Sequence, residues 1–494
     1  MTETTAASHG TPAAGVPTPE AEHSDDAATA VVSLYVKQQK IYARAVSGWF
    51  AGWRWAFVWA TQLVFYGLPW LQWNDRQAVL FDLGARRFYI FGLVLYPQDF
   101  IYLTALLIIS AYALFLFTAV AGRLWCGFTC PQTVYTEIFM WVERKIQGDR
   151  IARMKRDAGP WNADRVWRAV AKQSAWIAIA LWTGFTFVGY FTPIKTLAQL
   201  VSQFGLGPWE TFWVFFYGFA TYGNAGFMRE QVCKYMCPYA RFQSAMFDKD
   251  TLIVGYDPER GEPRGSRSRK ADRKAIGKGD CIDCGLCVQV CPTGIDIRKG
   301  LQYECISCTA CIDVCDGVMD KMGYPRGLIR FDTQNGMAQH LTRAQRLRRV
   351  FRPRVLIYTS ILFLLVAAMA VSIALRSPFR VDVVRDRASL ARLVDDGWIE
   401  NVYRLQIMNA TEQTQHYRVA VKGMPQIRLD GSDALEVQPA QARWMSVAVR
   451  VPPDSAAASG AGAHPIEFEV QRLSPDAGTP AMTTVEKSTF VVPR

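Results

Sequence analysis

The chain has 494 residues, half of them hydrophobic and 13% aromatic, with 16 Trp, 12 Cys, five His and a formal charge of +12. That length allows several domains, and so apolar a composition excludes a uniformly soluble protein. The Lys and Arg surplus falls in particular loops, so it reads as a membrane-topology signal and not as the footprint of a nucleic-acid partner.

Residues 1–32 are rich in Ala, Thr, Pro, Glu and Asp and contain no Lys or Arg, which predicts a disordered tail and excludes a signal peptide. Residues 33–256 predict a four-helix membrane domain, with spans at 53–70, 101–120, 174–191 and 210–228, each near the ~20 residues a bilayer needs. Thr221, Tyr222, Gly223 and Asn224 interrupt the fourth. The spans form a duplicated pair, because each pair ends in the same motif: Cys126-Gly-Phe-Thr-Cys130-Pro131 and Cys233-Lys-Tyr-Met-Cys237-Pro238.

Proline is favoured at the first helical position, so Cys130 and Cys237 should sit at helix N-termini, where the helix dipole favours an ionised thiolate. If the repeat brings the motifs together, Cys126, Cys130, Cys233 and Cys237 converge, with Met236 and Met140 or Met228 nearby. Three readings compete: transient copper binding, a further iron–sulfur cluster, or packing alone. Thiolate and thioether ligands favour Cu(I), and ligand softness alone leaves copper and a cluster both open.

A basic linker follows at 257–279. Its run of Arg264, Arg267, Arg269, Lys270, Arg273 and Lys274 reads as a solvated segment against anionic lipid head groups and not as an RNA-binding arm. Residues 280–330 carry Cys281, Cys284, Cys287 and Cys291, then Cys305, Cys308, Cys311 and Cys315. Twice repeated, C-x2-C-x2-C-x3-C is the bacterial ferredoxin pattern, in which the fourth thiolate of each run crosses to the other [4Fe-4S] cluster. Cys281, Cys284, Cys287 and Cys315 should therefore hold one cluster, and Cys305, Cys308, Cys311 and Cys291 the second. Zinc is the alternative, but it needs only four thiolates and usually a wider gap between cysteine pairs. Asp316 stands where a proline is usual, which changes a turn and not a ligand.

A basic juxtamembrane segment at 331–354 leads into a fifth span at 355–375. From 379 to 494 the pattern becomes short alternating strands at 379–384, 399–408, 416–421, 443–451, 466–470 and 484–492, which predicts an Ig-like β-sandwich. Lys and Arg number ten in 121–173 and 23 in 229–354, against three in 74–100 and one in 192–209. The N-terminus and ferredoxin region are therefore expected in the cytoplasm and the cysteine-free C-terminal domain outside. His9, His23, His340, His416 and His464 all lie outside the spans, so paired histidines for a b-type haem are missing. Neither a dinucleotide fingerprint nor a hydrolase triad stands out.

The stretches Arg76-Gln-Ala-Val-Leu-Phe-Asp82, Phe91-Gly-Leu-Val-Leu-Tyr-Pro-Gln-Asp99, 122–143 and Asn401-Val-Tyr-Arg-Leu-Gln-Ile-Met-Asn409, with both C-x3-C-P motifs and both cluster runs, carry a resemblance. The chain resembles the cytochrome c oxidase accessory protein CcoG (FixG/RdxA) family over nearly everything after the tail. The resemblance implies a multi-pass bacterial inner-membrane protein that reduces Cu(II) to Cu(I) during assembly of cbb3-type oxidase. It implies a cytoplasmic electron donor, a copper chaperone or copper-exporting ATPase as recipient, and contact with oxidase assembly components. A quinol dehydrogenase-type subunit and a non-enzymatic assembly scaffold are the alternatives. The expected architecture is a polytopic α-helical membrane protein of about five spans, with an inserted bacterial-type 2[4Fe-4S] ferredoxin domain and a C-terminal Ig-like β-sandwich.

Overall fold

The computed structural model describes residues 40–269, 276–386, 391–473 and 482–493, and the expected tail at 1–32 lies outside them. Each expected span falls on a helix: Trp49–Gly67, Phe100–Ala121, Ala163–Val188, Pro208–Thr221 and Pro353–Ala374. Among the described residues two, Pro97–Ala121 and Pro353–Ala374, are long and apolar enough by themselves to cross a membrane. The other three owe their apolar character to Trp, Phe and Tyr more than to Leu and Ile, and Trp49–Gly67 also buries Arg54. The expected break at 221–224 is a change of winding: Pro208–Thr221 runs directly into π-helical turns at Tyr222–Met228 and stops at Arg229, whose φ is 37°. A π-turn keeps the backbone hydrogen-bonded while widening the helix, and such turns gather at functional sites.

Helix packing follows small and aromatic residues. A Cβ on Gly184 would lie 2.2 Å from Val214 O, so glycine is what lets Ala163–Val188 approach Pro208–Thr221. Trp176 stacks on Phe139 at 5.2 Å and donates its indole N–H to Phe139 O at 3.1 Å, fixing Pro131–Gln147 on the same pair. Pro353–Ala374 lies along Phe100–Ala121, with Tyr112 edge-on to Tyr358 at 5.8 Å.

The C-terminal part is a two-sheet sandwich. One sheet runs Arg428–Asp430, Ala442–Val451, Ile399–Asn409, Phe379–Arg385, with Arg392–Leu393 paired to Ile399–Asn409; the other runs Ala434–Val437, Gln415–Lys422, Gly462–Leu473, Thr483–Val492. Alternation puts Tyr403, Leu405, Ile407, Tyr417, Val419, Phe468 and Phe490 into one core. Asn401 ties the sheets by donating to Val491 O and accepting from Val491 N–H, at 2.9 and 3.0 Å.

The segment between the first two long helices forms a small three-stranded antiparallel sheet of Val79–Asp82, Arg87–Ile90 and Leu93–Leu95. It packs on the sandwich through Leu80, Tyr89, Val94 and Tyr96 against Met408 and Ala440. Tyr96 donates to Asn409 O at 2.8 Å, and buried Asp99 pairs with Arg376 and Arg380. Residues 72–99 and the sandwich therefore share one end of the helix bundle.

Candidate functional site

Strands Leu252–Tyr256 and Ile329–Thr333 pair antiparallel, bringing the two ends of the ferredoxin-like region together. The stretch expected as a linker from 257 to 279 begins as structure: Asp257 caps the short helix Pro258–Gly261, and Arg260 holds Asp280 at 2.6 Å. Arg267, expected against lipid head groups, instead donates to Gly279 O at 2.6 Å and Tyr324 Oη at 3.2 Å. The rest of that run from 270 to 275 lies outside the described residues. Arginines of the juxtamembrane segment are paired as well, Arg346 to Asp332 at 2.9 Å and Arg352 to Asp248 at 3.0 Å.

Each C-x2-C-x2-C loop winds the same way. Asp283 and Gly285 in the first, and Ser307 and Thr309 in the second, have φ between 53° and 63°, flanking the middle cysteine. Left-handed residues between right-handed ones turn successive N–H groups to one side, a nest suited to the sulfur atoms of an anionic cluster. Ser307 N–H already points at Cys305 Sγ, at 3.4 Å. Thr309 is β-branched, and such a residue adopts φ > 0 only where its surroundings enforce it.

Two cavities sit over these loops. Cys281, Cys284, Cys287 and Cys315 line one, with Tyr256, Leu286, Val318 and Met319; Cys291, Cys305, Cys308 and Cys311 line the other, with Cys287 and Ile297. The residues thus fit two cubanes with crossed fourth ligands. Burial, as the largest cause, pushes the Cys287 thiol up to about 11 and those of Cys305 and Cys315 to about 12, and raises Cys308 and Cys311 as well. Loading iron must therefore release protons.

The two C-x3-C-P motifs are built alike. Cys130 N–H bonds back to Trp125 O and Cys237 N–H to Val232 O, both five residues earlier, and each cysteine then caps a helix opened by proline, Pro131–Gln147 and Pro238–Met246. Each motif holds the other's span. Gln132 donates to Asn224 O and Arg229 O at 2.9 and 3.1 Å, while Tyr239 donates to Leu114 O at 2.9 Å and Gln243 lies 3.4 Å from Cys126 Sγ.

Cys126, Cys130, Cys233 and Cys237 act on one another electrostatically, but among the described residues no three of them come together as ligands of a single metal ion. The ionised state expected of Cys130 is corrected here. Burial raises its thiol despite N–H groups of Gln132 and Thr133, and burial first, then neighbouring cysteines, pushes Cys126 to about 11 and Cys233 to about 12. Desolvation outweighs the helix N-terminus. Of the candidate thioethers, Met140 lines a cavity with Cys233, and Met236 is exposed.

The decisive contact joins the two regions. Cys126 and Cys233 pack into one apolar cluster with Val290, Ile306, Cys308, Ala310 and Cys311. A Cβ on Gly127 would lie 2.8 Å from Ile306 O and Ser307 O, so the first motif rests directly on the backbone of the second cluster loop.

Family models match three parts of the chain: a 4Fe-4S dicluster domain over residues 228–334, a 4Fe-4S binding domain over 103–148, and the IG-like fold at the C-terminal of FixG over 369–493. Nitrogen fixation protein FixG of Rhizobium meliloti is 36% identical over 79% of this chain and 81% of its own length. Protein RdxA of Cereibacter sphaeroides is 40% identical over 82% and 87%. The chain belongs to the FixG/RdxA family. As a FixG/RdxA protein it is an iron–sulfur oxidoreductase with an Ig-like C-terminal domain. The crystal structure of a FixG-related protein from Vibrio parahaemolyticus aligns over 24% of this chain and 97% of its own, at 26% identity and a TM-score of 0.20.

In this FixG/RdxA chain, sequence patterns missed the residues that dock the cluster region on the helices. Asp313 accepts from Phe50 N–H and Ala51 N–H at 3.1 and 2.7 Å, capping Trp49–Gly67, and Arg54 donates to Cys308 O at 2.9 Å. A cap supplied from 262 residues away leaves no local signal. Asp313→Ala should cost ~1–2 kcal/mol, read as an earlier melt of the purified chain by circular dichroism with iron retained.

Proposed function

We propose that this chain is a five-span inner-membrane electron-transfer protein that reduces Cu(II) to Cu(I) at Cys126, Cys130, Cys233 and Cys237 in support of cbb3-type oxidase assembly. The packing of Cys126 and Cys233 in one apolar cluster with Cys308 and Cys311 carries this reading, because it sets the membrane-edge thiols directly beside a cluster-type site. Two [4Fe-4S] clusters, held by Cys281, Cys284, Cys287 and Cys315 and by Cys305, Cys308, Cys311 and Cys291, would supply one-electron transfer when bound.

The chain's own residues do the rest. The apolar cluster holds Cys126 and Cys233 beside Cys308 and Cys311, and Gly127 lets the first motif rest on the Ile306–Ser307 backbone. Soft sulfur donors stabilise the reduced ion, which leaves by ligand exchange to a copper chaperone or exporter. Sidedness is supported by the placement of residues 72–99 with the sandwich at one end, and of the arginine-rich segments with the cluster loops at the other.

The Cys130→Ala, Cys237→Ala double variant should lose Cu(II) reduction while retaining the [4Fe-4S] EPR signals; unchanged copper turnover would remove the role. A second reading is favoured by one observation: the 4Fe-4S family model over 103–148 contains only Cys126 and Cys130 as cysteines. Iron analysis of anaerobically purified chain separates the two, since two clusters require about eight irons and a third at the membrane cysteines about twelve.

A further inference from the structure

A buried cation beside a redox site lowers the cost of adding an electron there, and charge and hydrogen bonding around the sulfurs are the protein's means of setting cluster potential. The two cavities differ in this respect. At the set Cys291, Cys305, Cys308 and Cys311, Arg54 donates to Cys308 O at 2.9 Å and Arg123 to Cys305 O at 3.4 Å. Both arginines are buried, with 7% and 3% of their surface exposed, and both Nε atoms are without a hydrogen-bond partner. Neither forms a salt bridge among the described residues; Glu304 acts on Arg123 and Glu137 on Cys308 only from beyond salt-bridge distance, so the arginine charge at the thiols is partly offset and not neutralised.

At the set Cys281, Cys284, Cys287 and Cys315, the cation in the cavity wall is Arg298, and it is held by Asp296 at 2.8 Å and Asp283 at 2.5 Å; Arg267 donates to Cys281 O at 3.4 Å, but it is half-buried where Arg54 and Arg123 are buried. Asp316 adds a carboxylate next to Cys315, accepting from Gly327 N–H at 2.9 Å. This set also has the exposed ligand, Cys284. One site therefore has two buried arginines on its ligand carbonyls beside the membrane cysteines, and the other has carboxylate-paired or half-buried arginines, three carboxylates and one exposed ligand.

We propose that Arg54 and Arg123 are positioning residues for electron flow: they hold the reduction potential at Cys291, Cys305, Cys308 and Cys311 above that at Cys281, Cys284, Cys287 and Cys315. Electrons from a soluble one-electron donor protein enter on the Cys284 side and run toward Cys126 and Cys233. One electron leaves the first site and arrives at the second, with no bond made or broken and no proton moved. The direction rests on the reading that the membrane cysteines are the exit.

An EPR-monitored redox titration of the full-length protein in detergent tests this without using copper turnover. Wild type should show two separated midpoints. Arg54→Gln and Arg123→Gln should each lower the upper one by at least tenfold in its one-electron equilibrium, about 59 mV, and leave the lower one in place. Arg298→Gln should move only the lower one. A shift confined to the lower midpoint, an equal shift of both, or none in the two glutamine variants overturns the assignment. If a glutamine variant loses iron, Arg54→Lys and Arg123→Lys, which keep the charge, must hold the upper midpoint, and a tenfold fall there overturns it equally. Failure of copper reduction in wild type would sink the copper reading while leaving these midpoints to stand or fall on their own.

Discussion

Replacing Gly127 by valine should abolish electron delivery to copper while leaving the iron content of the chain unchanged. The position has no room: a single Cβ would already meet Ile306 O, Ser307 C and Ser307 O at 2.8 Å, all backbone atoms that cannot swing aside as a side-chain tip can. The added atoms must separate the Leu124–Phe128 helix from the cluster loop, and Cys126 moves with that helix. Overpacking of this kind costs about 1–3 kcal/mol, which the rest of the membrane domain can bear. Misplacing reacting groups by an ångström can slow a reaction roughly 100-fold, and a loss on that scale is expected in a Cu(I)-chelator assay with reduced protein. Alanine should give a smaller loss of the same kind. Wild-type rates in both variants would show that this contact does not couple the two regions.

Glu143→Gln should be the most destabilising single change in the membrane domain. The carboxylate, 1% exposed, is held by Arg153 at 2.9 Å, Arg229 at 3.0 Å and Lys172 at 3.9 Å, so it ties four segments: Pro131–Gln147, Arg150–Ala158, Ala163–Val188 and the end of the π-turns. Burial alone would raise its pKa, but Arg229, Arg153 and Lys172 together hold it below the ordinary carboxylate range. An amide leaves those cations facing a neutral group, and removing one partner of a buried ion pair costs about 3–5 kcal/mol. Because the folded-state pKa is depressed, the stabilisation is fully present above the unfolded value, about 4.3, and is lost as pH falls through the lower folded value. Wild type should therefore lose stability below about pH 4 relative to its neutral plateau, and Glu143→Gln should start lower and show less of that acid loss. Thermal melts of both chains from pH 7 to pH 3 check the sign.

What could be read from sequence was what depends on short periods and fixed spacings. The cysteine runs announce their loops because nothing else repeats C-x2-C-x2-C-x3-C, and the cavities group Cys315 with the first run and Cys291 with the second. Six alternating segments found the long strands of the sandwich, but Arg428–Asp430, Ala434–Val437 and Arg392–Leu393 are too short to show a period. Proline after Cys130 and Cys237 marked two helix starts, since it fixes φ where the missing N–H costs nothing. The state of the Cys130 thiol was not legible, because burial is a property of the assembled fold. The same holds for Asp313 capping a helix over 250 residues earlier, for Arg54 and Arg123 at the cluster loop, and for Gly127, whose need for glycine appears only once Ile306 and Ser307 are against it.

The central claim is that Cys126 and Cys233 receive electrons from the buried site beside them. Reduced, anaerobic, full-length protein mixed rapidly with Cu(II), and followed by EPR of the iron–sulfur signals and by a Cu(I) chelator, measures this directly. The signals should disappear in step with Cu(I) formation in wild type, and both changes should stop in Cys126→Ala, Cys233→Ala protein that keeps its iron. Reoxidation by Cu(II) at the wild-type rate in that variant would contradict the account.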